Sequence, residues 1–385
     1  MHPSAHGAPG TARLELAQIV RAHAPALLAH ARLAGVQRRA LAAIAHCRTA
    51  ALGGEIHRCD RCGATHYVYH SCRNRHCPKC QSLARERWLA ARRAELLPVP
   101  YFHLVFTLPH ELNALAQGNA RRIYGLLFAA ASATLIEFGR NPRWLGGEIA
   151  ATLVLHTWSQ TLTQHLHIHA LVAAGALSPE ARWIHPRRGF LFPVQALSKV
   201  FRAKFLEGLH RALGAWQLRL AAASASLAEP AAQGAWLAQL RAKPWVVYAK
   251  ATLAGPEPVL DYLGRYVQRV ALSNERLLGL AQGQVRFAWR DRARGNRRKT
   301  MCLPAEQFLA RFLLHVLPRS FMRIRHYGLL ANRHKHALLA QARRALALPH
   351  HPNRPHRPSR SRPSASACSA STSAAVASAA SANCA

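Results

Sequence analysis

Thr163-Gln164-His165-Leu166-His167-Ile168-His169-Ala170-Leu171-Val172 alternates histidine with apolar residues and then turns fully apolar. Strand side chains point alternately to two faces. The pattern therefore predicts a strand with His165, His167 and His169 on one face and Leu166, Ile168 and Ala170 on the other. A row of neutral imidazoles suits a divalent metal ion. The bland alternative is a strand whose polar side chains face water. His165 to His169 cover about 13 Å of strand, too far for both ends to share one ion easily. His167 and His169 are therefore the expected metal ligands, and a third is needed. His156, on a second predicted strand over Ile149 to Trp158, is the first choice; His165 and Gln268 are the others.

Further out, Tyr101 to Leu108 is aromatic and β-branched and predicts another strand. Pro244 to Lys250 reads as a strand, and Trp183 to Phe192 as a strand or hairpin. The strand at Thr163 is expected to end at Gly175. Val285 to Trp289 and Lys299 to Leu303 read as an antiparallel pair around a basic turn. Helical periodicity runs through residues 12–46, Gln81 to Leu97, Pro109 to Glu137 and, with a break near Glu229-Pro230, 195–241. Pro256 or Pro258 opens another helix to about Leu272, and Pro304 to Val316 forms the next. From about Pro349 the composition collapses to Pro, Ser, Ala, Arg and His, which cannot bury a core. The expected division is 1–97 (helical arm and Cys-rich module), 98–345 (main domain) and 346–385 (disordered low-complexity tail).

Bulk charge points to a polyanion. The 385 residues carry 52 Lys+Arg against 16 Asp+Glu, a formal net charge of +36. Solvation does not require that excess, and nucleic acid matches it. Acid is too scarce for a nuclease built on convergent carboxylates, since the aspartates are Asp60, Asp261 and Asp291. Met1 to Gly10 lacks the apolar stretch of a signal peptide, and no uninterrupted apolar run approaches a membrane span. A cytoplasmic protein, associated with the nucleoid through DNA and with no membrane partner, is expected. No Gly-rich phosphate loop appears, so no nucleotide cofactor is expected. The sequence does not specify an oligomeric state.

Five of the nine cysteines fall between Cys59 and Cys80. Cys59-Asp60-Arg61-Cys62-Gly63 and Cys77-Pro78-Lys79-Cys80 resemble two thiolate knuckles on one tetrahedral zinc. Cys59, Cys62, Cys77 and Cys80 are the expected ligands of a structural Zn2+. Cys72 and His76 are left over, to replace one of the four or to hold a second ion with His66, His70 or Cys47. Arg73 and Arg75 decorate this module and are expected on DNA phosphate.

In Asp261-Tyr262-Leu263-Gly264-Arg265-Tyr266-Val267-Gln268-Arg269, two tyrosines sit at i and i+4. They share a helix face about 6 Å apart along the axis. Arg265 and Arg269 form a second such pair, expected to contact DNA. Alone, this is two aromatics packing a helix. Beside the histidine strand and the charge, the hydroxyls read as nucleophiles. Attack on a phosphodiester leaves a phosphotyrosyl ester that keeps the bond energy, so a strand can be rejoined without ATP.

His167-Ile168-His169 in an apolar strand, with Tyr262 and Tyr266 downstream, resembles the two-tyrosine HUH rolling-circle transposases of bacterial insertion sequences. Ser71-Cys-Arg-Asn-Arg-His-Cys-Pro-Lys-Cys-Gln81 resembles the zinc-binding domain that precedes their catalytic domain. The likeness extends over roughly residues 15–345. It implies an α+β fold: a central antiparallel sheet flanked by helices, after a small Cys-rich zinc-binding domain. It also implies Mg2+ or Mn2+ on the HUH histidines and single-stranded DNA as substrate. Tyr262 and Tyr266 would form 5′-phosphotyrosine intermediates, one nicking and the other serving the next transfer. Glu55 departs from the histidine more familiar ahead of the zinc knuckle. Two other readings fit many of the same residues: a replication initiator or relaxase with the same chemistry, and a non-catalytic zinc-dependent DNA-binding protein.

Overall fold

The computed structural model describes residues 13–187, 191–251, 258, 264, 271–291, 294–346 and 374–376. The histidine stretch forms β5 (Gln164–Leu177), the middle of an antiparallel sheet. On one side lies β4 (Glu148–Trp158) and beyond it β11 (Ile324–Gly328). On the other lies β3 (Tyr101–Thr107) and then β7 (Val247–Ala251), while β6 (Trp183–Ile184) pairs with the far end of β5. Gly175 does not end the strand. It sits within β5 at φ +141°, where a Cβ would lie 2.5 Å from the Trp183 indole nitrogen. Only glycine lets that ring rest on the backbone.

The alternation read in the sequence is the alternation of the two layers. Leu166, Ile168, Ala170 and Val172 join Phe102, Leu104 and Phe106 of β3 in the main core. Covering them are Ile123, Leu127 and Phe128 of α5 (Ala120–Arg140) and Phe201 and Phe205 of α6 (Val194–Gly214). Helix α5 is long and apolar enough to cross a membrane by length and composition, although Arg122 and Glu137 bound its uncharged run. Here its apolar side is spent on the sheet. The opposite sheet face is covered over only part of its length. Tyr101, Ala150, Val154, Leu171 and Ala173 pack with Leu97, Val99 and with Leu339 and Ala342 of the C-terminal helix Lys335–Ala345. The remaining part of that face carries the histidines.

A second core joins the ends of the chain. It unites α1 (Leu16–His30) and α2 (Gly35–Ala45) with the small sheet β8 (Leu277–Ala281), β9 (Gln284–Asp291), β10 (Arg297–Pro304) and the helix Ala305–Leu313. Leu162, in the turn between β4 and β5, is buried in this core. The remaining N-terminal elements are the hairpin β1 (Gly54–Arg58) and β2 (Thr65–Tyr69), and α3 (Gln81–Arg93).

The α+β class, with antiparallel sheets flanked by helices, is thus the expected one. Details differ. The 12–46 arm is two helices, while the break that the sequence shows near Glu229-Pro230 within 195–241 falls at the start of α7 (Pro230–Ala242), with α6 ending at Gly214. The β1–β2 hairpin, β11 and Lys335–Ala345 were not anticipated. Within the tail, Ala374–Val376 is described, paired antiparallel to β1.

Candidate active site and metal centres

Register brings three histidines together. His156 on β4 pairs directly with His167 on β5, and His169 lies two residues along on the same face. Their ligand atoms all fall within 4.8 Å of one another. Ring centroids are 5.4 Å apart for His156 and His167, 4.5 Å for His156 and His169, and 4.9 Å for His167 and His169. An irregularity in the β4–β5 pairing follows His156, between it and Trp158. Such a bulge re-aims side chains, and the Trp158 ring stacks on His156 at 4.5 Å.

Two of the imidazoles are held from behind. His167 Nδ1 lies 2.9 Å from the His165 carbonyl and donates to it, so Nε2 carries the lone pair. His169 Nδ1 lies 2.8 Å from Nε2 of His103, a buried residue of β3. His167 Nε2 and His169 Nε2 lie 3.1 Å apart. In the tautomer in which His169 Nδ1 donates to His103, both Nε2 atoms present lone pairs, and three imidazoles whose ligand atoms cluster this closely fit a divalent ion. His156 and His167 are buried and His169 partly so. Burial pushes His103 down to about 4, so it is neutral near pH 7. His165, the outermost of the row, is not among the clustered ligand atoms; its ring lies 4.8 Å from that of His167 and 5.5 Å from that of His110.

The sequence missed His103. It is polar in a strand otherwise read as core, and its partner is set by strand pairing, which a single sequence does not reveal. Buried His315 was missed too. Its Nε2 reaches the Leu162 carbonyl at 3.1 Å and its Nδ1 the Thr157 hydroxyl at 3.2 Å, tying the β4–β5 turn to the helix Ala305–Leu313 side.

The thiolate centre is not assembled as the spacing suggests. Cys47, Cys72, Cys77 and Cys80 place their sulfurs within 4.8 Å of one another. Separations are 3.5 Å for Cys47–Cys80, 3.6 Å for Cys72–Cys80 and 3.6 Å for Cys47–Cys77. Four thiolates at zinc's ~2.3 Å bond length in a tetrahedron would be about 3.8 Å apart, so the set fits zinc closely. A hydrogen bond from Cys77 brings the Cys72 thiol down to about 5, while burial raises Cys47 to about 11. The same bond pushes Cys77 upward. Without a cation, then, the sulfurs cannot all be thiolates.

Cys59 and Cys62 are outside this group. The hairpin between them and the cluster is the reason. Five residue pairs, Gly54↔Tyr69 to Arg58↔Thr65, carry the Cys59–Cys62 turn to the hairpin tip, about 13 Å from its base. Cys47 and Cys72 lie at that base, where Arg48 N–H donates to the His70 carbonyl. Cys77 and Cys80 remain as expected. Arg75 is engaged in the protein, donating to the carbonyls of Phe321 at 2.6 Å and Pro318 at 2.7 Å, which leaves Arg73 as the exposed arginine of the pair.

Tyr262, Tyr266, Arg265 and Arg269 lie outside the described residues. Between the tyrosines, Gly264 is described: it is helical and buried. A Cβ there would sit 3.0 Å from Leu89 Cδ1, so Gly264 lies against α3.

Residues 150–337 match the family model described as "Putative transposase", and residues 19–108 match "Transposase zinc-binding domain" of the IS91 type. The chain is similar to "Putative transposase y4qJ" of Sinorhizobium fredii, with 49% identity over 336 residues, 87% of this chain and 84% of the relative. It is also similar to the "Transposase for insertion sequence element IS801" of Pseudomonas savastanoi pv. phaseolicola. There the identity is 28% over 294 residues, 74% of this chain and 68% of the relative.

Proposed function

The chain belongs to the IS91-type family of insertion-sequence transposases, and from that premise we propose that it nicks and rejoins single DNA strands by phosphotyrosyl transfer, in rolling-circle transposition. DNA is the partner of a transposase, and action on chromosomal DNA puts the protein in the cytoplasm. The observation that carries the mechanistic reading is the convergence of His156, His167 and His169 on one point, two of them with Nδ1 already engaged.

These three histidines would hold Mg2+ or Mn2+, which when bound polarises the scissile phosphate. Histidine ligands bring no charge, so the ion's full charge acts there. His165 O and His103 fix the ring orientations before substrate arrives, so the site is preorganised. Tyr262 and Tyr266 supply the nucleophiles. One hydroxyl loses its proton to water and its oxygen bonds to phosphorus. The bond from phosphorus to the 3′-oxygen breaks, and that oxygen leaves as a 3′-hydroxyl after taking a proton. The 5′-phosphotyrosine is then attacked by another strand's 3′-hydroxyl, which restores the tyrosine. Zinc is assigned to Cys47, Cys72, Cys77 and Cys80 in a structural role, since four thiolates leave no open position. Arg73, Arg265 and Arg269 serve phosphate contact.

The test is a denaturing gel of labelled single-stranded element ends incubated with protein and Mn2+. Wild type retains the label covalently. Tyr262→Phe with Tyr266→Phe together forms no adduct, and neither does wild type without divalent ion. Cleavage that survives the double substitution would put the nucleophile elsewhere and refute the reading.

A further inference from the structure

A cleft of about 670 Å³ opens at the β11 edge of the sheet, lined among others by Trp88, Arg92, Met322, Arg325, Tyr327 and Lys335. Ile324, another lining residue, pairs with Val154, which in turn pairs with His169. β11 therefore lies one strand spacing, about 4.8 Å, from β4 with His156 and two, about 9.5 Å, from β5 with His167 and His169. The cleft's other wall is α3, whose Leu89 touches Gly264 between the two tyrosines.

The lining combines flat apolar surface with cations. Met322 at the mouth is 68% exposed, unusual for so large an apolar side chain. Arg325 lies over the Phe128 ring at 4.2 Å and over Phe321 at 5.2 Å, which holds its guanidinium in one plane. Arg92 lies against Trp88 at 5.6 Å. One carboxylate, Glu95, faces both Arg92 at 2.9 Å and Lys335 at 2.5 Å, so the cleft stays net positive.

We propose that this cleft takes one unpaired nucleotide of the DNA strand, its base on Trp88 and Met322 and its phosphate toward Arg325 and Lys335. The proposal rests on the single-strand reading of the transposase and names where the strand lies beside the histidines. Stacking on an aromatic ring is tolerant of base identity, and duplex bases are not available for it. The cleft therefore selects unpaired over paired DNA.

The experiment measures binding of the full-length protein to a short fluorescein-labelled oligothymidine and to a duplex of equal length, with no Mg2+ or Mn2+ added. Trp88→Ala and Met322→Glu each weaken single-strand binding about tenfold, while Trp88→Phe stays within about threefold of wild type. Met322 is exposed, so its substitution leaves the melting temperature unchanged. Leu278→Glu adds the same charge at an exposed position of β8 and leaves binding within about twofold, because that site is outside the cleft. If Met322→Glu matches Leu278→Glu and Trp88→Ala binds as wild type does, the proposal is overturned. Because binding is read without divalent ion, a failure of the cleavage chemistry would leave this result standing, and the reverse also holds.

Discussion

Replacing His169 by alanine reduces covalent adduct formation about a thousandfold, the several kcal/mol that a metal ion supplies to a phosphoryl-transfer transition state. His167→Ala does the same, because each residue contributes one of the two nitrogens that meet at 3.1 Å. His165→Ala has a much smaller effect, since its ring is not among the clustered ligand atoms and the carbonyl that orients His167 is kept. His103 gives the sharper comparison. It touches neither ion nor DNA in this reading and acts through the 2.8 Å hydrogen bond to His169. His103→Ala should weaken Mn2+ binding about 10- to 100-fold, as loss of such supporting partners does. His103→Gln, which restores an acceptor near the same place, should recover most of it. Mn2+ binding followed by electron paramagnetic resonance reads this without any turnover. Equal binding in wild type and His103→Ala would show that the hydrogen bond only packs the strand.

The second large effect concerns the thiolates. Cys47→Ser, Cys72→Ser, Cys77→Ser and Cys80→Ser should each remove the bound zinc. A structural zinc of this type contributes about 10–16 kcal/mol of apparent binding free energy in small domains, so its loss should unfold the module around it. That module does not stand alone. Cys47 and Cys77 are buried in the same core as α1, α2 and β9, and Arg75 is anchored to the loop before β11. The unfolding should therefore spread, lowering the melting temperature of the whole protein. Cys59→Ser and Cys62→Ser should keep the zinc and the melting temperature. Metal content by mass spectrometry decides the matter: zinc retained in Cys47→Ser but lost in Cys62→Ser would return the site to the hairpin tip.

The residues that were legible in the sequence are those whose local pattern coincides with their tertiary use. Alternation from His165 to Val172 predicted both faces of β5, because a strand with one buried face must alternate. His156 could be chosen because a neighbouring strand must place some residue opposite His167. Cys77 and Cys80 were legible as one knuckle. The other half of that site was not, because the nearest paired spacing, Cys59 and Cys62, competes with the geometry of the hairpin that carries it away. The stretch from Gly54 to Tyr69 does show the signal, two short alternating runs around a Cys-Gly turn. Read as a hairpin, it would have sent attention to its base, where Cys47 and Cys72 lie. Arg75 was read as surface because a basic side chain beside a knuckle looks solvent-facing. Its carbonyl partners are more than two hundred residues away in sequence. His103, β11 and the cleft beside it likewise depend on pairings between distant segments.

The central claim is that a tyrosine of the 262–266 segment becomes esterified to DNA beside the ion-binding histidines. Trypsin separates the two candidates, because Arg265 lies between them: Tyr262 falls on the peptide 251–265 and Tyr266 on the peptide 266–269. Wild-type protein should be trapped on a labelled single-stranded end with Mn2+, digested with trypsin and nuclease, and analysed by mass spectrometry. The expected result is a 5′-linked nucleotide on one or both of these peptides, at Tyr262 or Tyr266. A nucleotide on any other residue, or cleaved strands with free 5′-phosphates and no modified peptide, would contradict the account.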